Sequence, residues 1–262
     1  MELGKVKKKM ELSSWIKFKH LFMAVISLGV GLFLMILSII GREKKDSNLI
    51  LWIGLGLALS AGIHVLNYIR EKKLAGNYIF YEKGFEDINT HTKVFYKDIK
   101  NYYFSIWKVL REDVQYMIIE GKEDKYVLTS RLDSKTFDTF VRDYLKEILP
   151  IEIENIKNGG QRKFGILSKG GMIKSKFGLN ENKIIEDLKN IDIKEELIIY
   201  GSGIKIGDKF YSMNDIKAVK KDLTGTLSIT DNENKVIFSK NKLFIQSFDL
   251  MVRLLNEFLD KK

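Results

Sequence analysis

Two uncharged blocks near the start of the chain separate its pattern from everything that follows. From Leu21 to Ile40 no residue carries a charge, and at about 1.5 Å per residue such a helix crosses a hydrocarbon core of roughly 30 Å. A second block, Leu49 to Ile69, also lacks Asp, Glu, Lys and Arg, and the polar segment between them is short. The pattern predicts a transmembrane hairpin within residues 21–73, with spans at 21–40 and 49–69. A signal peptide does not fit the first block, which is too long and runs into a second span instead of a small-residue cleavage site.

Basic residues orient the hairpin. Lys5, Lys7, Lys8, Lys9, Lys17 and Lys19 lie in the segment 1–20, and Arg70, Lys72, Lys73 and Lys83 follow the second span. Only Arg42, Lys44 and Lys45 occupy the turn. The positive-inside bias predicts both termini on the cytoplasmic side of a plasma (inner) membrane, with the bases from Lys5 to Lys73 beside anionic headgroups. Trp15, Phe18, Tyr68 and Trp52 are expected as interfacial anchors. Ser27 and Gly31 in one helix, and Gly54, Ala58 and Gly62 in the other, repeat every four residues. Such small residues let backbones approach closely. Packing within the hairpin is the expectation, and homo-oligomerisation through the same faces the alternative. His64 and Asn67 near the cytoplasmic end are read as satisfied or water-reaching, not as a proton path.

After residue 73 the pattern changes to short β-prone runs, and their landmarks occur twice. Tyr78-Ile79-Phe80-Tyr81 leads to Gly84-Phe85, Tyr96-Lys97-Asp98-Ile99-Lys100, Lys125-Tyr126-Val127-Leu128 and Phe137-Asp138-Thr139-Phe140-Val141-Arg142. Leu197-Ile198-Ile199-Tyr200 leads in turn to Gly203-Ile204, Met213-Asn214-Asp215-Ile216-Lys217, Lys235-Val236-Ile237-Phe238 and Phe248-Asp249-Leu250-Met251-Val252-Arg253. Phe137, Phe140, Val141, Tyr144 and Ile148 share their spacing with Phe248, Met251, Val252, Leu255 and Leu259, one buried helical stripe per copy. Each copy therefore reads as several antiparallel strands followed by one amphipathic helix, the first helix ending at Pro150. Asp138 with Arg142, and Asp249 with Arg253, read as exposed i,i+4 pairs worth about 0.3 kcal/mol. Asp98 and Asp215 read as residues of a turn or a strand end.

These landmarks resemble the bacterial PH-like domains, in which a strand runs into a Gly-hydrophobic turn, an aromatic-x-Asp-Ile element follows and a C-terminal helix closes the module. The resemblance implies an α+β protein with a membrane part: a two-helix hairpin followed by two PH-like antiparallel β-sandwich or barrel modules, each closed by an amphipathic helix. It covers residues 74–150 and 195–262. Residues 151–194 are expected to be a linker or an elaboration of the second module, with a strand near Lys163–Ile166, a turn at Gly170-Gly171 and a helix from Glu181 to Asn190. The resemblance also implies a membrane-associated binding or assembly module. The basic first-hairpin signature of phosphoinositide-binding PH domains is missing from Glu86–His91.

Composition narrows the chemistry. There is no cysteine, so no disulfide or thiolate site exists. The net charge of +10 is read mainly as solubility, with attraction to anionic lipid as the sharper alternative. His20, His64 and His91 are far apart in the sequence, and Gly201-Ser202-Gly203 precedes a strand, not the helix a phosphate loop needs. No catalytic, metal-binding or cofactor-binding residues are assigned. Tyr102, Tyr103, Phe104 and Trp107 among lysines are read as core, not as a base-stacking surface for nucleic acid. The expected function is a non-enzymatic membrane-anchored scaffold for a membrane or cytoplasmic protein partner, with an anionic-lipid or envelope-stress sensor as the alternative.

Overall fold

In the computed structural model, which describes residues 2–41, 47–108, 113–133, 135–168, 172–174 and 181–259, the two apolar blocks are helices, α1 (Ser14–Ile40) and α2 (Ser47–Ala75). Each is about 40 Å long at 1.5 Å per residue, and both are long and apolar enough to cross a membrane. Small residues face inward: Ala24, Ser27, Gly31 and Ser38 of α1 and Ser47, Gly54, Ala61 and Ala75 of α2 are buried, while Val25, Phe33, Ile40, Leu59 and Leu66 are exposed. In α2 the covered positions include Ser47, Ile50, Gly54, Leu57, Ala61, His64, Tyr68, Glu71 and Ala75, a set that steps alternately by three and four. That is the spacing of a seam along which two helices pack.

The chain divides into two compact units, Met10–Asn77 with Arg131–Ser134, and Met1–Lys9 with Tyr78–Ser130 and Lys135–Lys262. The first unit is the hairpin and a short loop returned to it. Arg131 ion-pairs with Glu71 of α2, its carbonyl accepts from the Ser13 N–H at 2.8 Å, and Leu132 bridges Leu12.

The second unit holds the repeated copies. In the first copy β1 (Val6–Met10), β2 (Tyr78–Tyr81), β3 (Gly84–Asp87) and β4 (Thr92–Phe95) form a sheet in that order. Next come β5 (Asn101–Lys108), β6 (Asp113–Glu120) and β7 (Lys125–Thr129), antiparallel to one another, and α3 (Thr136–Lys157). Then follow β8 (Gln161–Leu167), β9 (Met172–Lys174), α4 (Glu181–Lys189), β10 (Ile193–Tyr200), β11 (Gly203–Ile206) and β12 (Lys209–Ser212). The chain ends with β13 (Ile216–Lys221), β14 (Thr226–Asp231), β15 (Val236–Asn241) and α5 (Phe248–Leu259). The second copy forms the sheets β12-β11-β10-β8 and β13-β14-β15. Each copy is thus a four-strand sheet, an antiparallel three-strand set and a closing helix.

The copies agree in detail. Asp98 and Asp215 close 3-10 turns, Tyr96–Asp98 and Met213–Asp215, just before β5 and β13. A Cβ on Gly84 would lie 2.1 Å from the Val94 carbonyl oxygen, and one on Gly203 would lie 2.3 Å from that of Tyr211. Both strand pairs close only over a residue without a side chain.

Three features differ from the sequence reading. First, the segment 1–20 is not simply a basic arm, because β1 supplies the first strand of the first copy. The hairpin is therefore inserted after strand one, and in the second copy β9 and α4 are inserted at the same point. Second, residues 151–194 belong to both copies. β8 pairs with β10, whereas β9 pairs in parallel with β5, Ile106 opposite Met172, and α4 buries Ile184 and Leu188 against Tyr103, Val114, Tyr116 and Ile118 of the first copy. Third, α3 runs through Pro150 to Lys157. Proline removes one backbone donor, but Ile156 is buried and anchors the last turn, and the N–H groups of Asn158, Gly159 and Gly160 return to carbonyls of that turn. Gly170-Gly171 lies outside the described residues.

The first core is aromatic. Phe85, Tyr96, Tyr102 and Tyr144 gather around Phe140, edge to face except for the stacked Tyr144 ring, with centroids 5.5–6.3 Å from it. Such pairs contribute about 1 kcal/mol each beyond their burial. The second core is mostly aliphatic, with Leu197, Ile199, Ile204, Leu227, Ile229, Met251 and Leu255 fully buried.

Candidate functional site

The helix seam forms where small residues were expected, with one correction. A Cβ on Gly31 would stand 2.7 Å from the Gly54 carbonyl oxygen and 2.8 Å from the Ala58 nitrogen, and Ser27 is buried on the same face. Nothing lies within 4 Å of a Cβ on Gly62, and Ala61 takes the seam instead. Eight residues at 100° each advance about 80° beyond Gly54, whereas seven fall only about 20° short. A four-residue spacing therefore drifts off a 3.5-residue seam. The Ser38 hydroxyl donates to the Ser47 carbonyl at 2.6 Å near the turn end. The antiparallel hairpin also joins two histidines far apart in sequence: the rings of His20 and His64 lie 6.2 Å apart, centroid to centroid.

The basic residues divide into groups. The Lys5 backbone is tied to Glu82, its carbonyl accepting from the Glu82 N–H at 3.1 Å. Lys7 Nζ lies 3.0 Å from the buried Asp143 carboxylate, in ion-pair rather than hydrogen-bond geometry. Lys8 and Lys9 continue β1. Lys7, Lys8 and Lys9 are thus strand residues of the repeated unit, and Lys5 immediately precedes that strand. Lys17 donates to Glu11 at 3.3 Å, Lys19 is exposed on the first turns of α1, and Arg70, Lys72 and Lys73 are exposed on the last turns of α2.

The two copies meet through polar groups. Ser247 donates its N–H to the Tyr102 carbonyl at 2.6 Å, and its hydroxyl oxygen accepts from the Tyr102 N–H at 3.2 Å. The Tyr102 hydroxyl donates to Asp249 at 3.2 Å, and the Gln246 amide donates to Glu120 at 3.0 Å. Arg162 donates to Glu152 at 2.8 Å and also to the Lys100 carbonyl. Asp249 thus serves the junction, while Arg142 lies 3.1 Å from Asp143. A sequence pattern could not find this junction, because Ser247 and Tyr102 are unremarkable until the fold joins them.

The sheet edges complete the accessible surface. β12 is the outer strand of its sheet and carries the exposed Phe210, whose ring packs 6.0 Å from Tyr200. The open face of β5-β6-β7 is covered by α4, whose last carbonyls accept from the Tyr103 hydroxyl at 2.6 Å and from Lys125.

Titration adds no reactive group. Burial raises the phenols of Tyr78, Tyr96, Tyr102 and Tyr103 well above the ordinary range and that of Tyr144 to about 12. They stay neutral at physiological pH. Hydrogen bonds from Thr226, Thr224 and Gly225 hold the exposed Asp222 carboxyl below its usual value. Among the described residues no group of three or more His, Cys, Asp or Glu side chains is placed to hold a metal ion. Comparison of the chain with protein-family models, with curated proteins and with solved structures found no match.

Proposed function

We propose that this is a membrane-anchored, non-enzymatic binding protein that presents two PH-like modules to a protein partner at the cytoplasmic face of a plasma membrane. The observation that carries the reading is the pairing of β1 with β2. The hairpin leaves the first sheet after one strand and comes back to it at the next, which supports an even number of crossings and both ends on one side. The excess of basic residues at those ends favours the cytoplasmic side. The PH-like reading is supported by the shared plan of four strands, three strands and a closing helix, together with the Gly and Asp-Ile positions common to both copies.

A partner that adds an extended strand suits the outer strand β12, where backbone pairing supplies affinity and Phe210 a side-chain anchor. The hairpin raises the local concentration of the modules for partners in the same membrane. A photo-crosslinking residue at Phe210 in the full chain, expressed in cells, is expected to capture one recurrent membrane-associated protein. The same residue at Ser239, on β15, sets the background. Equal yields at both positions would remove strand addition at β12. The lipid-sensor alternative is favoured by a separate observation, the basic turn between β13 and β14.

A further inference from the structure

The turns at the two ends of β14 are built alike. In the first, Asp222 Oδ1 accepts from the Thr224 and Thr226 N–H groups at 2.9 and 2.8 Å, and Gly225 has φ +81°. In the second, Asp231 Oδ1 accepts from the Glu233 and Lys235 N–H groups at 3.0 and 2.8 Å, and Asn234 has φ +64°. The position after the aspartate is Asn232 in one turn and Leu223 in the other, so the turn itself does not require an apolar residue there. Leu223 is nonetheless fully exposed, with a relative accessibility of 107%, the largest among the exposed large apolar residues.

Its surroundings are basic. Lys220 and Lys221 precede Asp222, and Lys242 lies against Gly225, with its N–H on the Gly225 carbonyl at 2.9 Å. Lys240 stands across from Leu227 on the neighbouring strand. All four are exposed, and none forms an ion pair with a carboxylate among the described residues. Lys221 and Lys242 are held in place over the rings of Phe248 and Phe104, 5.3 and 5.5 Å from their centroids. Asp222 is the one acid in the turn sequence 220–226, and its carboxylate accepts from the turn's own N–H groups and the Thr224 hydroxyl.

We infer that the β13–β14 turn is a lipid-contact site: Leu223 enters the headgroup boundary of an anionic bilayer while Lys220, Lys221, Lys240 and Lys242 meet its phosphates. A single apolar side chain on a hydrogen-bonded turn suits shallow insertion, and unpaired ammonium groups around it suit negative lipid over zwitterionic lipid. The site adds a second, reversible membrane contact to the anchored protein of the proposed function, and it rests on that reading.

The chain has no cysteine, so Leu223→Cys places one environment-sensitive NBD fluorophore on the full-length protein. The labelled protein is incorporated into nanodiscs of phosphatidylcholine alone or mixed with phosphatidylglycerol, with Glu233→Cys on the sister turn as the control. Blue-shifted, brighter emission at position 223 in the anionic discs only, with position 233 silent, is the expected result. Lys220→Gln and Lys240→Gln are expected to raise the phosphatidylglycerol content needed for half the response, with affinity falling roughly fivefold per lysine. Unchanged emission in protein that has entered the discs would overturn the site and leave the anchor intact. An equal response in both lipids would overturn the role of the lysines. A response in detergent that grows with protein concentration would assign the tip to a second copy of the chain. Failure of the protein to enter discs would sink both this site and the proposed anchoring.

Discussion

The two copies of the module share a plan and differ in what fills it. Phe80, Phe85, Tyr96, Phe140 and Tyr144 in the first copy stand where Ile199, Ile204, Met213, Met251 and Leu255 stand in the second. The closing helices differ too: Thr139 and Asp143 are buried on α3, where α5 buries Leu250 and Leu254. The fold is therefore specified by backbone requirements common to both, above all the bare glycines at 84 and 203 and the Asp-Ile turns. Core chemistry is free to vary as long as its volume is kept.

Truncating the centres of the two cores tests this most severely. Phe140→Ala is expected to cost about 4 kcal/mol and Met251→Ala about 3 kcal/mol, measured as shifts in denaturant midpoint of the full protein in micelles. Equal and small losses would mean that these residues do not organise their cores.

Exchanging the buried helix positions sharpens the contrast. Leu254→Asp should cost about 3 kcal/mol, because it buries a charge without a partner. Asp143→Leu should change stability by less than about 1 kcal/mol, since Lys7 remains partly exposed and an apolar residue replaces a buried ion. Comparable losses from both would show that the Lys7–Asp143 pair is more than a substitute for apolar packing.

Alkaline pH separates the copies by their tyrosines. A phenol raised in the folded state favours folding below its unfolded pKa of about 10, and that contribution is lost as pH rises through the folded value. For Tyr144, raised to about 12, the loss between pH 10 and 12 is about 2 kcal/mol. Hydrogen exchange should therefore show the first copy opening before the second in that window. Simultaneous opening would mean that the junction at Tyr102 and Ser247 couples the copies too tightly to unfold apart. The smallest effect belongs to the insertion in the first copy. Gly62→Ala should alter hairpin stability by less than about 0.5 kcal/mol and Gly31→Ala should lower it by about 1–2 kcal/mol, read from thermal unfolding of the helices.

Much of this architecture was legible in the chain. Length and apolarity mark the two helices because a bilayer demands both, and the glycine and aspartate landmarks mark the repeat because backbone geometry demands them. β1 was not legible, since Lys7-Lys8-Lys9 reads as a solvated arm and becomes a strand only through pairing with β2. Pro150 was misleading because tertiary burial of Ile156 outweighs one missing donor. Residues 151–194 divide between the copies because β9 follows the edge of β5 and α4 its face, contacts that no local pattern encodes. Of the basic candidates, Lys7, Lys8 and Lys9 lie in β1 with Lys5 just before it, whereas Lys19, Arg70, Lys72 and Lys73 are exposed at the helix ends.

The pairing of β1 with β2 also sets an order of events during synthesis. β1 is made before both hydrophobic helices and its neighbour β2 after them, so under the proposed anchoring the first copy closes its sheet only once the hairpin has been delivered to a lipid phase. Through that interval β1 is an unprotected strand edge, and three successive lysines are the kind of residue that keeps such an edge from pairing with other nascent chains. In the second copy the described elements between β8 and β10 are the short β9 and α4, so its sheet does not wait for two long apolar helices. Under that anchoring, completion of the first copy becomes a record that insertion has taken place.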